Sequence, residues 1–206
     1  MNNALIIFIK NPVLGKVKTR LAATIGNEKA LEIYKSLVAH TMEAVKECNA
    51  AVFLYFSDSI EETISTQKPG CIKKIQSGKD LGERMLKAFD EVSGLLYQKV
   101  VIIGTDCPGI NLQLIDEAFA ALENSDVVIG PAADGGYYLL GMNKPYKSLF
   151  QNINWSTSAV LNETISRCDE SELKYALLEV LHDLDEEKDL VHVKSINKLF
   201  SKWSAS

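Results

Sequence analysis

Apolar residues fall along this chain in short unbroken runs, separated by longer stretches in which they recur every three or four positions. The runs are AlaLeuIleIlePheIle at 4–9, AlaValPheLeuTyrPhe at 51–56, LysValValIleIle at 99–103 and AspValValIleGly at 126–130. A run apolar at nearly every position is what a strand buried on both faces requires. Shorter strands are predicted at 72–76 and 175–181, and one at 137–142 past the turn at AspGlyGly. The intervening stretches read as helices over 27–47, 82–97, 111–123 and 157–169, with one or two short helices over 186–203. In the first, Ala30, Ile33, Leu37, Val38, Thr41 and Val45 share an inner face. Strand–helix alternation implies a mostly parallel sheet covered on both faces. Ligands of such sheets sit beyond the carboxyl ends of the strands.

Composition adds limits. The 206 residues suit one domain spanning 1–206, with no repeat or linker to divide them. A net charge of −5 argues against general nucleic-acid binding. No apolar run is long enough to cross a membrane, and the N-terminus lacks the pattern of a signal peptide. Cys48, Cys71, Cys107 and Cys168 have no metal-type spacing and read as reduced thiols of a cytoplasmic protein.

Against this acidic background, the loop after the first strand carries Lys10, Lys16, Lys18 and Arg20, with Pro12 and Gly15 between them. Cations and a glycine at a strand exit suit an anion, phosphate first of all. The alternative is a solvated cationic loop. A P-loop is excluded, because position 10 is Lys and Lys16 is followed by Val17. After the strand at 99–103, GlyThrAspCysPro places Asp106 where a carboxylate reaches a phosphate-bridging cation, or where it caps the next helix. In AspLeuAsp at 183–185 an extended backbone would send Asp183 and Asp185 to one side, toward a shared metal, yet Asp185 equally suits a helix cap. His182 reads as structural. AspGlyGlyTyr at 134–137 allows close backbone approach of a ligand or a plain hairpin turn. Asp80 and Ser156 suit helix caps, and Gln76 offers an amide edge to a base.

Taken in order, LysAsnProValLeuGlyLysValLysThrArgLeu, GlnSerGlyLysAspLeuGlyGluArgMet, GlyThrAspCysPro, GlyProAlaAlaAspGlyGlyTyrTyrLeuLeuGly, TrpSerThrSer and AspLeuAsp resemble the bacterial family of small nucleotide-diphospho-sugar transferases, some labelled glycosyltransferases of arsenosugar biosynthesis. That family is similar to the guanylyltransferases of molybdenum cofactor and of 2-phospholactate. The resemblance covers residues 4–190 and implies a GT-A fold, a Rossmann-like three-layer α/β/α sandwich. By this resemblance Lys10, Gly15, Lys16, Lys18 and Arg20 would hold nucleotide phosphates, with Gln76 and Asp80 near the base or ribose. Asp106 would hold Mg²⁺ or Mn²⁺, with Asp185 as second ligand and Asp183 behind it. Asp134, Gly135, Gly136 and Tyr137 would face the acceptor or sugar, and Trp155 and Ser156 would close that pocket.

Lys16, Arg20 and Asp106 would carry the catalysis by stabilising charge on the departing phosphate. The partners implied are a nucleotide or nucleotide sugar and a small-molecule acceptor; a homodimer is common for such folds. The reaction expected is glycosyl transfer from a nucleotide sugar. Nucleotidyl transfer to a phosphorylated molecule is the alternative, and a nucleotide-binding module without turnover is the rival from another class.

Overall fold

The computed structural model describes residues 2–193, so the part of the 186–203 expectation beyond 193 lies outside the described residues. Within them, β1 (Asn3–Ile9), β2 (Ala51–Phe56), β3 (Ile72–Ile75), β4 (Lys99–Ile103), β5 (Val127–Pro131), β6 (Tyr137–Met142) and β7 (Tyr175–Leu177) form one sheet in the order β3-β2-β1-β4-β6-β5-β7. All neighbours are parallel except around β6, which runs antiparallel to both β4 and β5. AspGlyGly is therefore a hairpin turn, and β6 begins at the sheet edge where the other strands end.

Alternation along β1 shows why the sheet is sandwiched. Leu5, Ile7 and Ile9 pack on one face with Tyr34, Val38 and Met42 of α2 (Asn27–Ala44) and Ile115, Ala118 and Phe119 of α4 (Leu112–Ala121). Ala4 and Ile6 pack on the other with Met85, Ala88, Phe89 and Val92 of α3 (Leu81–Ser93) and Cys168 of α5 (Val160–Glu170). Three layers result, as the resemblance implies. A short helix, α1 (Thr19–Ile25), lies outside α2, where Leu21 meets Ala30, Ile33, Leu37 and Leu184. Sequence pattern does not announce that helix, because its first turn overlaps the end of the basic loop at Arg20.

Other boundaries shift for local reasons. The helix expected from 157 starts at Val160, because the Thr157 hydroxyl donates to Asn154 O at 2.7 Å and accepts from Ala159 N at 3.3 Å, closing a turn first. Ser156 is not its cap and sits at φ 65. The strand expected to 181 stops at Leu177. Glu179 O turns aside to accept the Tyr138 hydroxyl at 3.0 Å, and the chain rejoins the sheet with Leu181 N donating to Pro131 O at 3.0 Å. Asp80 is the cap of α3, accepting Glu83 N at 2.8 Å. A 3₁₀ turn at Glu187–Asp189 leads into α6 (Leu190–Val193). Among the described residues no helix is long and apolar enough to cross a membrane.

Candidate active site

The parallel exits of β1 and β4 lie side by side, so the basic loop and Asp106 meet at the carboxyl edge of the sheet. Gly15 at φ 75 turns the loop, and Lys16 N closes the turn on Val13 O at 3.0 Å. Asn11 ties the loop to the β2 exit: its amide donates to Ser59 O at 2.8 Å and its carbonyl accepts Asp58 N at 3.0 Å. Buried Val17 then turns Lys18 inward.

Lys18 is the centre of the site. Its side chain is 3% exposed, and its ammonium lies 2.6 Å from Asp106 Oδ1 and 3.0 Å from Asp185 Oδ1. Burial alone would lower this group, but the two carboxylates outweigh it and hold the ammonium above its ordinary range. The other oxygen of Asp185 accepts Arg20 Nη2 at 3.0 Å. Despite burial, Lys18 and Arg20 hold the Asp185 carboxyl below its usual range. Neither Asp106 nor Asp185 is a helix cap. Asn111 caps α4, accepting Leu114 N at 3.0 Å, while Glu186 and Asp189 form a reciprocal cap ahead of the turn at 187–189.

Asp183 stands differently. Burial, then the charge of Asp106, push its carboxyl up to about 7. Its segment is stitched to the Asp106 loop by Leu184 N donating to Asp106 O at 3.0 Å and by the Cys107 thiol donating to His182 O at 3.6 Å. Burial and Asp183 push that thiol up to about 12, so it stays protonated and serves as a tie. Tyr34, rising from α2, bonds both the N–H and the C=O of Lys10 at 2.9 and 2.8 Å and meets the Thr105 hydroxyl at 3.3 Å.

Three hollows share these acids. One of about 160 Å³ is lined by Lys10, Lys16, Lys18, Arg20, Asp106 and Asp185. A second, about 450 Å³, runs under α3 past Lys10, Gln76, Asp80, Asp106, Tyr137, Ser156 and Asp183. A third, about 520 Å³, holds Arg20, Asp134, Asp183 and Asp185.

Several expected residues have other duties. Gln76 gives its amide N–H to Tyr55 O at 2.9 Å, leaving the carbonyl side for a ligand. Gly135 and Gly136 shape the turn: Gly135 O accepts Leu161 N at 2.9 Å, and Gly136 N donates to Asp134 Oδ1 at 2.9 Å. Trp155 packs over Phe150 and against Gly82, where a Cβ would lie 2.3 Å from the indole. Gly15, Gly135, Gly136 and Trp155 line none of the three hollows. Sequence reasoning misses Tyr34, Thr105 and Asn11. Of these Tyr34 carries a signal, standing four residues from both Ala30 and Val38 on the inner face of α2.

As to a divalent ion, Lys18 and Arg20 already engage both oxygens of Asp185, whereas Asp106 and Asp183 line the same hollow with a single ammonium beside Asp106. The donor chemistry of that pair fits Mg²⁺ or Mn²⁺ completed by phosphate oxygens and water. Among the described residues no group of three His, Cys, Asp or Glu side chains converges as a metal cage.

Sheet order and layers are those of the α/β/α class of nucleotide-diphospho-sugar transferase structures. A crystal structure from Desulfovibrio desulfuricans G20, provisionally assigned as a nucleotide-diphospho-sugar transferase, superposes with a TM-score of 0.88 at 29% identity, covering 98% of this chain and 90% of that one. CMP:2-keto-3-deoxy-manno-octonic acid synthetase complexed with CTP shares the fold at 11% identity and TM-score 0.59, over 98% and 99% of the two chains. So does the Rv0371C protein of Mycobacterium tuberculosis H37Rv in complex with manganese, at 9% identity and TM-score 0.54, over 93% and 96%. The chain belongs to the family described as "uncharacterized protein conserved in bacteria (DUF2064)", whose model matches residues 40–157. No curated protein matches it.

Proposed function

We propose that this chain is a nucleotide-dependent transferase that moves a glycosyl group from a nucleotide sugar to a small acceptor. The observation that carries the reading is the buried Lys18 ammonium joined to Asp106 and Asp185 at the floor of a cationic cleft. A buried ammonium so fixed supplies positive charge without reorganising, which is what a departing phosphate needs. The synthetase of the same fold that binds CTP, and the Desulfovibrio protein's assignment, support a nucleotide in this cleft.

In this reading Lys10, Lys16 and Arg20 line the phosphate path, Arg20 remaining 68% exposed and able to swing onto a ligand. The 450 Å³ hollow receives the nucleoside, with the free side of Gln76 and the outer oxygen of Asp80 at its wall. Asp106 and Asp183 would hold Mg²⁺ or Mn²⁺, with Asp185 kept for Lys18 and Arg20; the manganese complex of the same-fold protein supports a metal here. Such an ion, when bound, would screen the charge that grows on the leaving diphosphate. Asp134, exposed in the lining of the third hollow, would accept a proton from the acceptor hydroxyl.

Nucleotidyl transfer remains the second reading, favoured by the density of cations in the 160 Å³ hollow, which matches a triphosphate. Thermal shift of the full chain with nucleotide sugars and nucleoside triphosphates, with and without Mn²⁺, separates the two. A ligand at a hundredfold its Kd adds about 2.7 kcal/mol of apparent stability. Stabilisation by one nucleotide sugar with Mn²⁺, and loss of the Mn²⁺-dependent part in Asp106→Asn, is the expected result. Stabilisation by triphosphates alone would move the assignment to nucleotidyl transfer, and no shift with any of them would overturn both.

A further inference from the structure

We propose that Tyr34 is a positioning residue that sets the phosphate loop and the Asp106 loop as one unit; the inference rests on the transferase reading above. β1 and β4 are paired only as far as Ile7 and Ile103. Beyond that point the chains part, one toward Lys10 and the other toward Asp106, and the small cationic hollow opens between them. Where the ladder ends, something else must hold the two exits in register. Tyr34, 1% exposed, rises from α2 into this gap.

Its bonding closes without remainder. The hydroxyl accepts Lys10 N–H at 2.9 Å and donates to Lys10 C=O at 2.8 Å. Its one proton is then used, so in the 3.3 Å contact with Thr105 the threonine O–H donates. One proton and two lone pairs are the whole capacity of a phenol. Burial keeps the phenol protonated by raising its titration far above neutrality. A hydroxyl so committed has nothing left for a phosphate and acts through its partners. Those partners are the backbone of Lys10 and the side chain of Thr105, the neighbour of Asp106. A core tyrosine needing only satisfaction would use one bond, as Tyr55 does with Glu91 at 2.6 Å.

The test measures Mn²⁺-dependent pyrophosphate binding beside the thermal midpoint of the free protein, in wild type, Tyr34→Phe, Thr105→Val, the double variant and Tyr55→Phe. Phe keeps the ring and removes all three bonds; Val removes one bond at nearly constant shape. Expected are about tenfold weaker binding in Tyr34→Phe and about threefold in Thr105→Val. The double variant should bind no worse than Tyr34→Phe, because the shared bond is lost once. Tyr55→Phe should lower the midpoint comparably and leave binding within about twofold. Binding by Tyr34→Phe within about twofold of wild type, or an equal loss in Tyr55→Phe, overturns the inference while leaving the transferase reading intact. Should Tyr34→Phe not fold, an unchanged affinity in Thr105→Val overturns it. A wild-type chain that binds neither pyrophosphate nor nucleotide overturns the transferase reading, and this one with it.

Discussion

The two halves of the site edge are held by different means. On the parallel side, at the exits of β1, β2 and β4, side chains supply the ties between loops: Lys18 between Asp106 and Asp185, Asn11 on residues 58–59, Tyr34 between Lys10 and Thr105, with a few backbone bonds such as Leu184 N to Asp106 O beside them. On the mixed side, around β5, β6 and β7, backbone bonds do most of the holding, with the Tyr138 hydroxyl on Glu179 O beside them. Ala133 N donates to Leu181 O at 2.9 Å, Leu161 N to Gly135 O at 2.9 Å and Leu181 N to Pro131 O at 3.0 Å. Exposed side-chain ties such as Arg20 to Asp185 are free to exchange partners, whereas buried Lys18 and the backbone ties are fixed. The parallel half has a rim that can respond around a fixed centre; the mixed half is a wall.

Three substitutions sharpen or break that contrast. The largest effect is expected from Gly135→Ala. Gly135 sits at φ 91, and a Cβ there would lie 2.2 Å from Ser158 O, so backbone must move. A loss of about 3 kcal/mol in urea unfolding is expected; a cost below about 1 kcal/mol would show that the wall yields. Next comes Lys18→Met, which leaves Asp106 and Asp185 without their buried partner. Because these carboxylates are 35% and 30% exposed, the cost is set below that of a fully buried pair, at about 2 kcal/mol. Unchanged stability would mean that the acids relax into solvent and that the centre is not structurally coupled. The smallest is Arg20→Ala. With a side chain 68% exposed, its pair with Asp185 should contribute under about 0.5 kcal/mol to folding. Pyrophosphate affinity should nonetheless fall severalfold and the salt dependence of binding flatten. A stability loss equal to that of Lys18→Met would erase the distinction between a responsive rim and a fixed centre.

The parallel half is legible from sequence because its rule is local: where an apolar run ends, the next residues stand at the ligand edge. Lys18 and Asp106 are placed together by that rule alone. Their direct bond is not legible, since Lys16, Lys18 and Arg20 look alike in a loop, and only burial of Val17 and Leu21 decides which cation turns inward. The choice between Asp183 and Asp185 is hidden for the same reason. An extended AspLeuAsp sends both carboxylates to one side, and which of them meets Lys18 depends on how Leu184 anchors, with its N–H on Asp106 O and its side chain against α1 and α2. In the mixed half AspGlyGly leaves a ligand turn and a plain hairpin equally open. The insertion of β6 between β4 and β5 comes from pairing that no single run of residues announces.

The bond between Lys18 and Asp185 spans 167 positions of chain. Contacts that distant in sequence slow folding, because the loop must close before the contact rewards it. During synthesis the basic loop emerges among the first residues; Asp106 follows, but Lys18 and Arg20 have no Asp185 to engage until the AspLeuAsp segment has been made. The completed centre is thus a record of completed folding: a chain interrupted before residue 183 can build most of the sheet and set Lys18 on Asp106, yet it lacks the second carboxylate.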